Sequence, residues 1–139
     1  MVGSVYLDAN VLLDFLVPDR ANHDRAVRLV AHLSEAGIEA VISEDILTTV
    51  FYIAKDKSRV LEFFLSVRKK WRIVSFGEAV VAEGLERALR ESLDLEDTLQ
   101  CLCAKKEECA MVVTEDRCFV ECGVRVMDYD TALREFEAR

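Results

Sequence analysis

The sequence predicts an α/β fold: a three-layer α/β/α sandwich around a central, mostly parallel five-stranded sheet. Short runs rich in β-branched residues alternate with longer segments of helical periodicity. This alternation is typical of a parallel sheet with helices on both faces. The first run, SVYLD, is almost wholly apolar, as expected for a strand that is covered on both faces. The chain has one proline and only five glycines, which indicates that little of it is loop.

The length and composition predict a single domain over residues 1–139. A chain of this length is within the usual range for one domain, and 52% hydrophobic residues are enough for a full core. No apolar run approaches the roughly 20 residues that are needed to span a bilayer. The start, MVGSVYLDAN, lacks the basic region of a signal peptide. We therefore expect a cytoplasmic protein that does not contact a membrane.

The first half of the chain predicts two strands and four helices. SVYLD predicts the first strand over 4–8, and IEAVIS predicts the second over 38–43, after the helix stop signal Gly37. Ser43 is suited to cap the helix that follows the second strand. Apolar side chains recur at helical spacing in four segments. These segments are 10–16, 22–36, the stretch from Ser43 to Ala54, and 58–70.

The second half predicts three strands and three helices. WRIVSF predicts a strand over 71–76, AMVVT one over 110–114, and VRVMD one over 124–128. The predicted helices cover 77–91, 96–107 and 130–137.

Acidic residues follow several of the predicted strands. The first strand ends at Asp8, the second runs into Asp45, and the fourth runs into Asp116. The helix before the fourth strand begins with DLED, which contains Asp94 and Asp97. Ligands of parallel sheets bind beyond the carboxyl ends of the strands. We therefore expect these acids to form one cluster at that edge of the sheet.

Such a cluster favours metal-assisted phosphodiester hydrolysis. Gathered carboxylates repel one another and their pKa values rise, and Mg²⁺ and Mn²⁺ prefer oxygen ligands. A bound cation activates water and stabilises charge on a phosphate. The sequence has no glycine-rich phosphate loop and no serine or cysteine in a recognisable nucleophile motif.

Each acid also has an ordinary structural interpretation. Asp8 can cap the helix after the first strand, and Asp97 can be a first-turn helix acid. Asp116 can cap a short helix, and Asn10 is as well suited to a cap as to a supporting role at the site. Asp14 is expected to be a solvated acid one turn beyond Asn10. The basic run before Trp71 is expected to be the solvated end of a helix rather than a nucleic-acid contact.

Charge and cysteines restrict the possible partners. The net charge of −8 is unfavourable for nucleic-acid binding, so a nucleic-acid substrate would need metal ions and local basic patches.

The odd number of five cysteines, clustered in the last third, argues against a disulfide framework. We expect small buried side chains, with a reactive thiol only at Cys118 or Cys122.

The segments YLDANVLLDFL and DLEDTLQCLCAKKEECAMVVTED resemble the PIN domain family, the nuclease fold of VapC-type toxins and related ribonucleases. The family combines an aspartate at the end of the first strand, a D-x-E-D helix start and a T-x-D after the fourth strand. The matching residues are Asp8, Asn10, Asp94, Glu96, Asp97, Thr114 and Asp116. Thr98 stands where the family's helix motif has alanine.

The resemblance implies a Mg²⁺- or Mn²⁺-dependent endoribonuclease. Asp8, Asp97 and Asp116 would be catalytic and metal-binding residues. Asp94 competes with Asp97 for the metal, and Asn10 and Thr114 would support the site. In toxin members the resemblance also implies neutralisation by an antitoxin and dimer formation.

One departure from the family leaves activity open. The family usually has a glutamate in the helix after the second strand, where this chain has Thr48 or Thr49. Asp45, one turn nearer the strand end, is a candidate substitute, although Glu44 and Asp45 also complement the helix dipole. The alternative is a weak or inactive PIN-like domain that acts as a protein-interaction module. A phosphatase is disfavoured because Asn10 stands where its second acid would be.

Overall fold

The structure is a computed structural model that describes residues 3–138. These residues form a single five-stranded sheet in the order β3-β2-β1-β4-β5, and every pair of neighbouring strands is parallel. The strands are β1 (Ser4–Leu7), β2 (Glu39–Ser43), β3 (Arg72–Val74), β4 (Met111–Val113) and β5 (Arg125–Met127). The helices are α1 (Ala9–Leu16), α2 (His23–Ala36), α3 (Glu44–Ile53), α4 (Lys57–Val67), α5 (Glu78–Glu91), α6 (Leu95–Lys106) and α7 (Tyr129–Glu137). The predicted α/β/α fold is confirmed.

β1 is the central strand, and all of its residues are buried. Tyr6 lies opposite Val41 in β2 and Val112 in β4. An apolar strand in the middle of a parallel sheet is buried by helices on both faces, which explains why SVYL is so uniformly hydrophobic. None of the helices within residues 3–138 is long and apolar enough to cross a membrane.

The predicted elements are all present, and the main differences are at their ends. β3 has only three residues instead of the predicted 71–76, and α4 ends at Val67 instead of Lys70. The backbone amides of Lys70 and Trp71 both donate to the carbonyl of Val67 at 2.8 Å, so the chain turns before the strand begins. The Trp71 ring then packs edge-on against Phe63, 5.5 Å between ring centroids, at the amino end of the sheet.

Gly84 allows α5 to approach α6 closely. A Cβ atom at this position would lie 2.6 Å from the Cδ2 atom of Leu99 in α6, which is too short for two carbon atoms. The close packing of the two helices holds α6, whose first turn carries two acids, in place along the sheet.

Cys101 and Cys122 form a disulfide that joins α6 to the segment before β5. Both side chains are buried as expected, but the expectation against disulfides is wrong for this pair, and Cys122 is not a free thiol. The two residues are 21 positions apart, and packing brings their Cα atoms to 6.1 Å, within bonding range for cysteines. Cys103 and Cys109 are buried free thiols, and Cys118 is an exposed one.

Asp14 is buried, so the expectation of a solvated acid is also wrong. Its carboxylate accepts hydrogen bonds from Arg20 Nε at 2.7 Å and from the Tyr129 hydroxyl at 2.8 Å. Tyr129 is the first residue of α7, and the arginine neutralises the buried charge.

Candidate active site

Asp8 stands at the carboxyl end of β1 and is only 8% exposed. One carboxylate oxygen accepts from the backbone amide of Ala9 at 2.8 Å, so Asp8 caps α1. The other accepts from the Thr114 hydroxyl at 2.8 Å. Burial raises the pKa of Asp8 above its usual value, while these two hydrogen bonds oppose the rise. The cap interpretation is therefore correct, and it leaves the carboxylate beside the end of β4.

Thr114 connects Asp8 with Asp116. It is buried, and its hydroxyl donates to Asp8 and accepts from the backbone amide of Asp116 at 3.1 Å. The backbone continues the parallel register here, since the Asp8 amide donates to the Val113 carbonyl at 3.2 Å. The ends of β1 and β4 are thus tied together by backbone and side chain.

Asp94 is the N-cap of α6. Its carboxylate accepts from the backbone amide of Asp97 at 2.9 Å, and its carbonyl accepts from the Thr98 hydroxyl at 2.6 Å. The side chain is exposed. Capping accounts for one carboxylate oxygen, and it places Asp97 in the first turn of the helix.

Asp97 and Asp116 form a carboxyl pair across α6 and the loop after β4. Burial, a hydrogen bond with Asp116 and the charges of neighbouring acids raise the pKa of Asp97 to about 7. A hydrogen bond between two carboxyl groups requires a proton on one of them. Asp116 is exposed and accepts from the Cys118 amide at 2.9 Å. This contact closes a turn, so the alternative role of Asp116 as the cap of a short helix is not observed.

The cluster has no basic partner. Among residues 3–138, the ion pairs do not include Asp8, Asp97 or Asp116. Negative charge therefore accumulates at this edge, as the sequence predicts.

The supporting residues take different positions. Asp45 is half-buried, and its carboxylate accepts from the Ser43 hydroxyl and from the Gln100 side-chain amide at 3.2 Å. The Ser43 hydroxyl thus bonds the Asp45 side chain, and it does not cap α3 through a backbone amide as predicted. Asn10 is exposed and lies beside Asp8, whose pKa it lowers by a hydrogen bond. Thr48 is also exposed, and its hydroxyl donates to the Asp45 carbonyl at 3.0 Å.

Two residues of this edge were not assigned a role from the sequence. Burial raises the pKa of Glu96, and the charges of Asp45, Asp8 and Asp94 add to the rise. Gln100 is almost fully buried, four residues after Glu96 on the same face of α6. That spacing is the only signal in the sequence that links Gln100 to the acids.

The donor chemistry of the cluster suits a hard divalent cation. No group of three or more His, Cys, Asp or Glu side chains in the described part of the chain is arranged to hold a metal ion. Mg²⁺, however, usually binds through one or two carboxylates and keeps several water molecules. Asp97 and Asp116 provide such a pair, and metal binding displaces protons from its ligands.

Fold and site together define an α/β/α domain with an acidic site at the carboxyl edge of a parallel sheet. The family model of the PIN domain matches residues 5–124. The chain belongs to the PIN domain family.

Known proteins agree with this assignment. Ribonuclease VapC1 of Aquifex aeolicus (strain VF5) is 32% identical over 127 residues, which cover 88% of each chain. Solved structures of similar fold include DNA-bound VapBC from Salmonella typhimurium, with a TM-score of 0.68, 15% identity and coverage of 93% of this chain and 99% of the other. Mycobacterium tuberculosis VapC20, a sarcin-ricin loop cleaving toxin, has a TM-score of 0.65 and 13% identity over 78% of this chain and 86% of its own.

Proposed function

We propose that this protein is a metal-dependent endoribonuclease of the PIN-domain type and the toxin of a toxin–antitoxin pair. The observation that carries the proposal is that Asp8, Asp97 and Asp116 lie together at the carboxyl edge of the sheet, with no ion-pair partner among the described residues. The relative named a ribonuclease supports the reaction. A cytoplasmic location is also part of the proposal, and it agrees with an RNA substrate.

The residues divide into ligands and supports. Asp97 and Asp116 would hold Mg²⁺ or Mn²⁺, and Asp8 and Asp94 would complete its acidic surroundings. A cation bound there would supply an activated water and neutralise charge on the phosphate that is cleaved. Thr114 holds Asp8 in place by the hydrogen bond described above. The Asn10 amide and the Asp45 carboxylate would support the site from the same edge of the sheet.

The RNA strand would reach the site through an adjoining cavity of about 550 Å³. Thr114 and Asp116 line it together with Arg25 and Arg117. Arginine contacts to phosphates provide affinity without sequence preference. The lining also contains five acids, and Arg25 pairs with one of them, Asp130, at 3.5 Å. Arg117, which is in none of the ion pairs of residues 3–138, is therefore the arginine of this cavity that we propose to contact RNA phosphates.

An antitoxin would bind at an apolar groove between α3, α4 and β3. The groove has a volume of about 510 Å³, and it is lined by Leu47, Thr48, Phe51, Leu61, Phe64, Leu65, Arg68 and Ile73. Leu65 is 66% exposed. Exposed apolar surface of this kind is typical of protein–protein contacts, and three solved relatives are toxin–antitoxin complexes. A homodimer remains part of the proposal.

RNA cleavage tests the proposed reaction. A mixed structured RNA is incubated with the protein in Mn²⁺ or Mg²⁺, with EDTA, and with the Asp97→Asn variant. Asp24→Asn is the matched control, because Asp24 is a first-turn acid of α2. We expect cleavage that requires the metal and Asp97 but not Asp24. The alternative, an inactive interaction module, is motivated by Thr48 or Thr49 in place of the family's helix glutamate and by the acidic balance of the chain, and it predicts that neither the wild type nor any variant cleaves.

A further inference from the structure

Gln100 is a buried amide in a helix that otherwise buries mainly apolar residues. Its side chain is 1% exposed. It follows Asp97 by three positions and Glu96 by four, so it lies one turn deeper on the same helical face. A buried amide must find hydrogen-bond partners for both its oxygen and its nitrogen, because an unpaired polar group in the core is costly.

Both ends of the Gln100 amide have partners on other elements. The side-chain oxygen accepts from the hydroxyl of Tyr6, which is fully buried in β1. The side-chain nitrogen donates to the Asp45 carboxylate at 3.2 Å. The Ser43 hydroxyl donates to the second oxygen of the same carboxylate. Within the described residues, no buried side-chain nitrogen or oxygen lacks a partner.

This arrangement allows only one orientation of the amide. If the amide of Gln100 were reversed, its oxygen would face the Asp45 carboxylate, and two acceptors would repel each other. In the orientation that the carboxylate selects, the Tyr6 hydroxyl donates to the amide oxygen and holds the side chain in place. Tyr6 is two residues before Asp8 and so lies on the same face of β1. The path from Tyr6 through Gln100 to Asp45 therefore runs directly behind the acidic site.

We propose that Gln100 is a positioning residue, oriented by Tyr6, that holds the Asp45 carboxylate at the acidic site and thereby sets the affinity of this site for a divalent cation. The inference rests on the proposed function for the cation itself. Partners that orient the residues around a metal change its affinity by about 10- to 100-fold when they are removed. Gln100 does not touch the substrate, so its effect passes through Asp45.

Calorimetric titration with Mn²⁺ tests the inference on the full chain. Tyr6→Phe removes one of the two hydroxyls that donate to the Gln100 oxygen, the other being that of Ser43 at 3.5 Å. Gln100→Met removes all the hydrogen bonds of the side-chain amide at similar volume. We expect each variant to weaken Mn²⁺ binding by about 10-fold. Tyr129→Phe is the matched control, because it also removes a fully buried hydroxyl, which bonds Asp14 at 2.8 Å. Its Mn²⁺ affinity is expected to equal that of the wild type.

A double variant separates positioning from a general loss of stability. If Tyr6 acts through Asp45, then Tyr6→Phe added to Asp45→Asn causes no further loss of Mn²⁺ affinity. Full additivity, or wild-type affinity in both Tyr6→Phe and Gln100→Met, would overturn the inference. RNA cleavage is measured on the same samples. A wild type that binds Mn²⁺ without cleaving RNA contradicts only the proposed function, and a wild type that does not bind Mn²⁺ contradicts both.

Discussion

At the scale of single residues, Asp8 combines two roles that sequence analysis treats as alternatives. It caps α1 with one carboxylate oxygen and meets Thr114 with the other. A cap needs an acceptor at the start of a helix, and a parallel sheet places its ligands at the same edge. The geometry of a strand followed at once by a helix satisfies both requirements with one carboxylate.

Thr114→Val is expected to destabilise the fold. The substitution keeps the shape of the side chain and removes the donor to a buried carboxylate oxygen, which costs about 1–3 kcal/mol. Urea denaturation measures the loss. Thr48→Val is the control, because Thr48 is exposed and such changes usually stay within about 0.5 kcal/mol. Equal losses in the two variants would argue against the role of Thr114.

Asp97→Asn is expected to stabilise the metal-free protein at neutral pH. The pKa of Asp97 is raised from 3.8 to about 7, so the folded state holds its proton more tightly than the unfolded state. This contribution to stability is complete below about pH 4 and is lost as the pH rises through about 7. The Asn variant does not lose this stability, so the difference between its free energy of unfolding and that of the wild type should grow as the pH rises between these values. Because Asp97 is partly solvated, we expect a gain of about 1 kcal/mol or less. Denaturation in EDTA at pH 4.5 and 7.5 measures it, and a gain that is independent of pH would contradict the prediction.

At the scale of elements, hydrophobic periodicity predicted all the strands and helices. The order of these elements then placed Asp8, Asp97 and Asp116 at the carboxyl edge of the sheet. The hydrophobic pattern is local, and so it is readable from residues a few positions apart. The disulfide between Cys101 and Cys122, and the bond between Gln100 and Asp45, join segments that are distant in sequence. Only the packing of α6 along the sheet brings these partners together, which is why the sequence did not reveal them.

Reduction of the disulfide is expected to destabilise the protein. The bond closes a loop between α6 and the segment before β5 over 21 positions, and such a crosslink contributes about 2–4 kcal/mol. The double variant Cys101→Ala/Cys122→Ala should therefore have a lower urea midpoint of unfolding than the oxidised wild type. A dithiol reductant should change the midpoint of this variant little. Cys118→Ala is the control, since Cys118 is an exposed free thiol. Identical midpoints for the oxidised and reduced wild type would contradict the expectation.

At the scale of the whole molecule, charge is distributed unevenly for the RNA substrate that we propose. The net charge is −8, and the acids at the sheet edge add to the repulsion of phosphates. Arg117, exposed beside the site, is therefore expected to carry an important part of the RNA affinity. The basic run at residues 68–70 lies just before β3, at the amino end of that strand, whereas the acidic site lies at the carboxyl ends of the strands.

Arg117→Ala is expected to weaken RNA binding and to reduce its dependence on salt. Loss of one phosphate contact lowers the slope of log K against log salt by about 1. Binding is measured with Asp97→Asn as the background, so that the RNA is not cleaved. Lys69→Ala, at the amino end of β3, should leave the slope of log K against log salt unchanged. A larger effect of Lys69 than of Arg117 would place the RNA elsewhere.

The most direct measurement is the anomalous scattering of crystals soaked in Mn²⁺. The central claim is that Asp97 and Asp116 hold the catalytic cation. We predict a Mn²⁺ peak at about 2.1–2.2 Å from carboxylate oxygens of both residues, and the loss of this peak in Asp97→Asn crystals. The absence of a peak between them at saturating Mn²⁺, or a peak that persists in Asp97→Asn, would contradict the account.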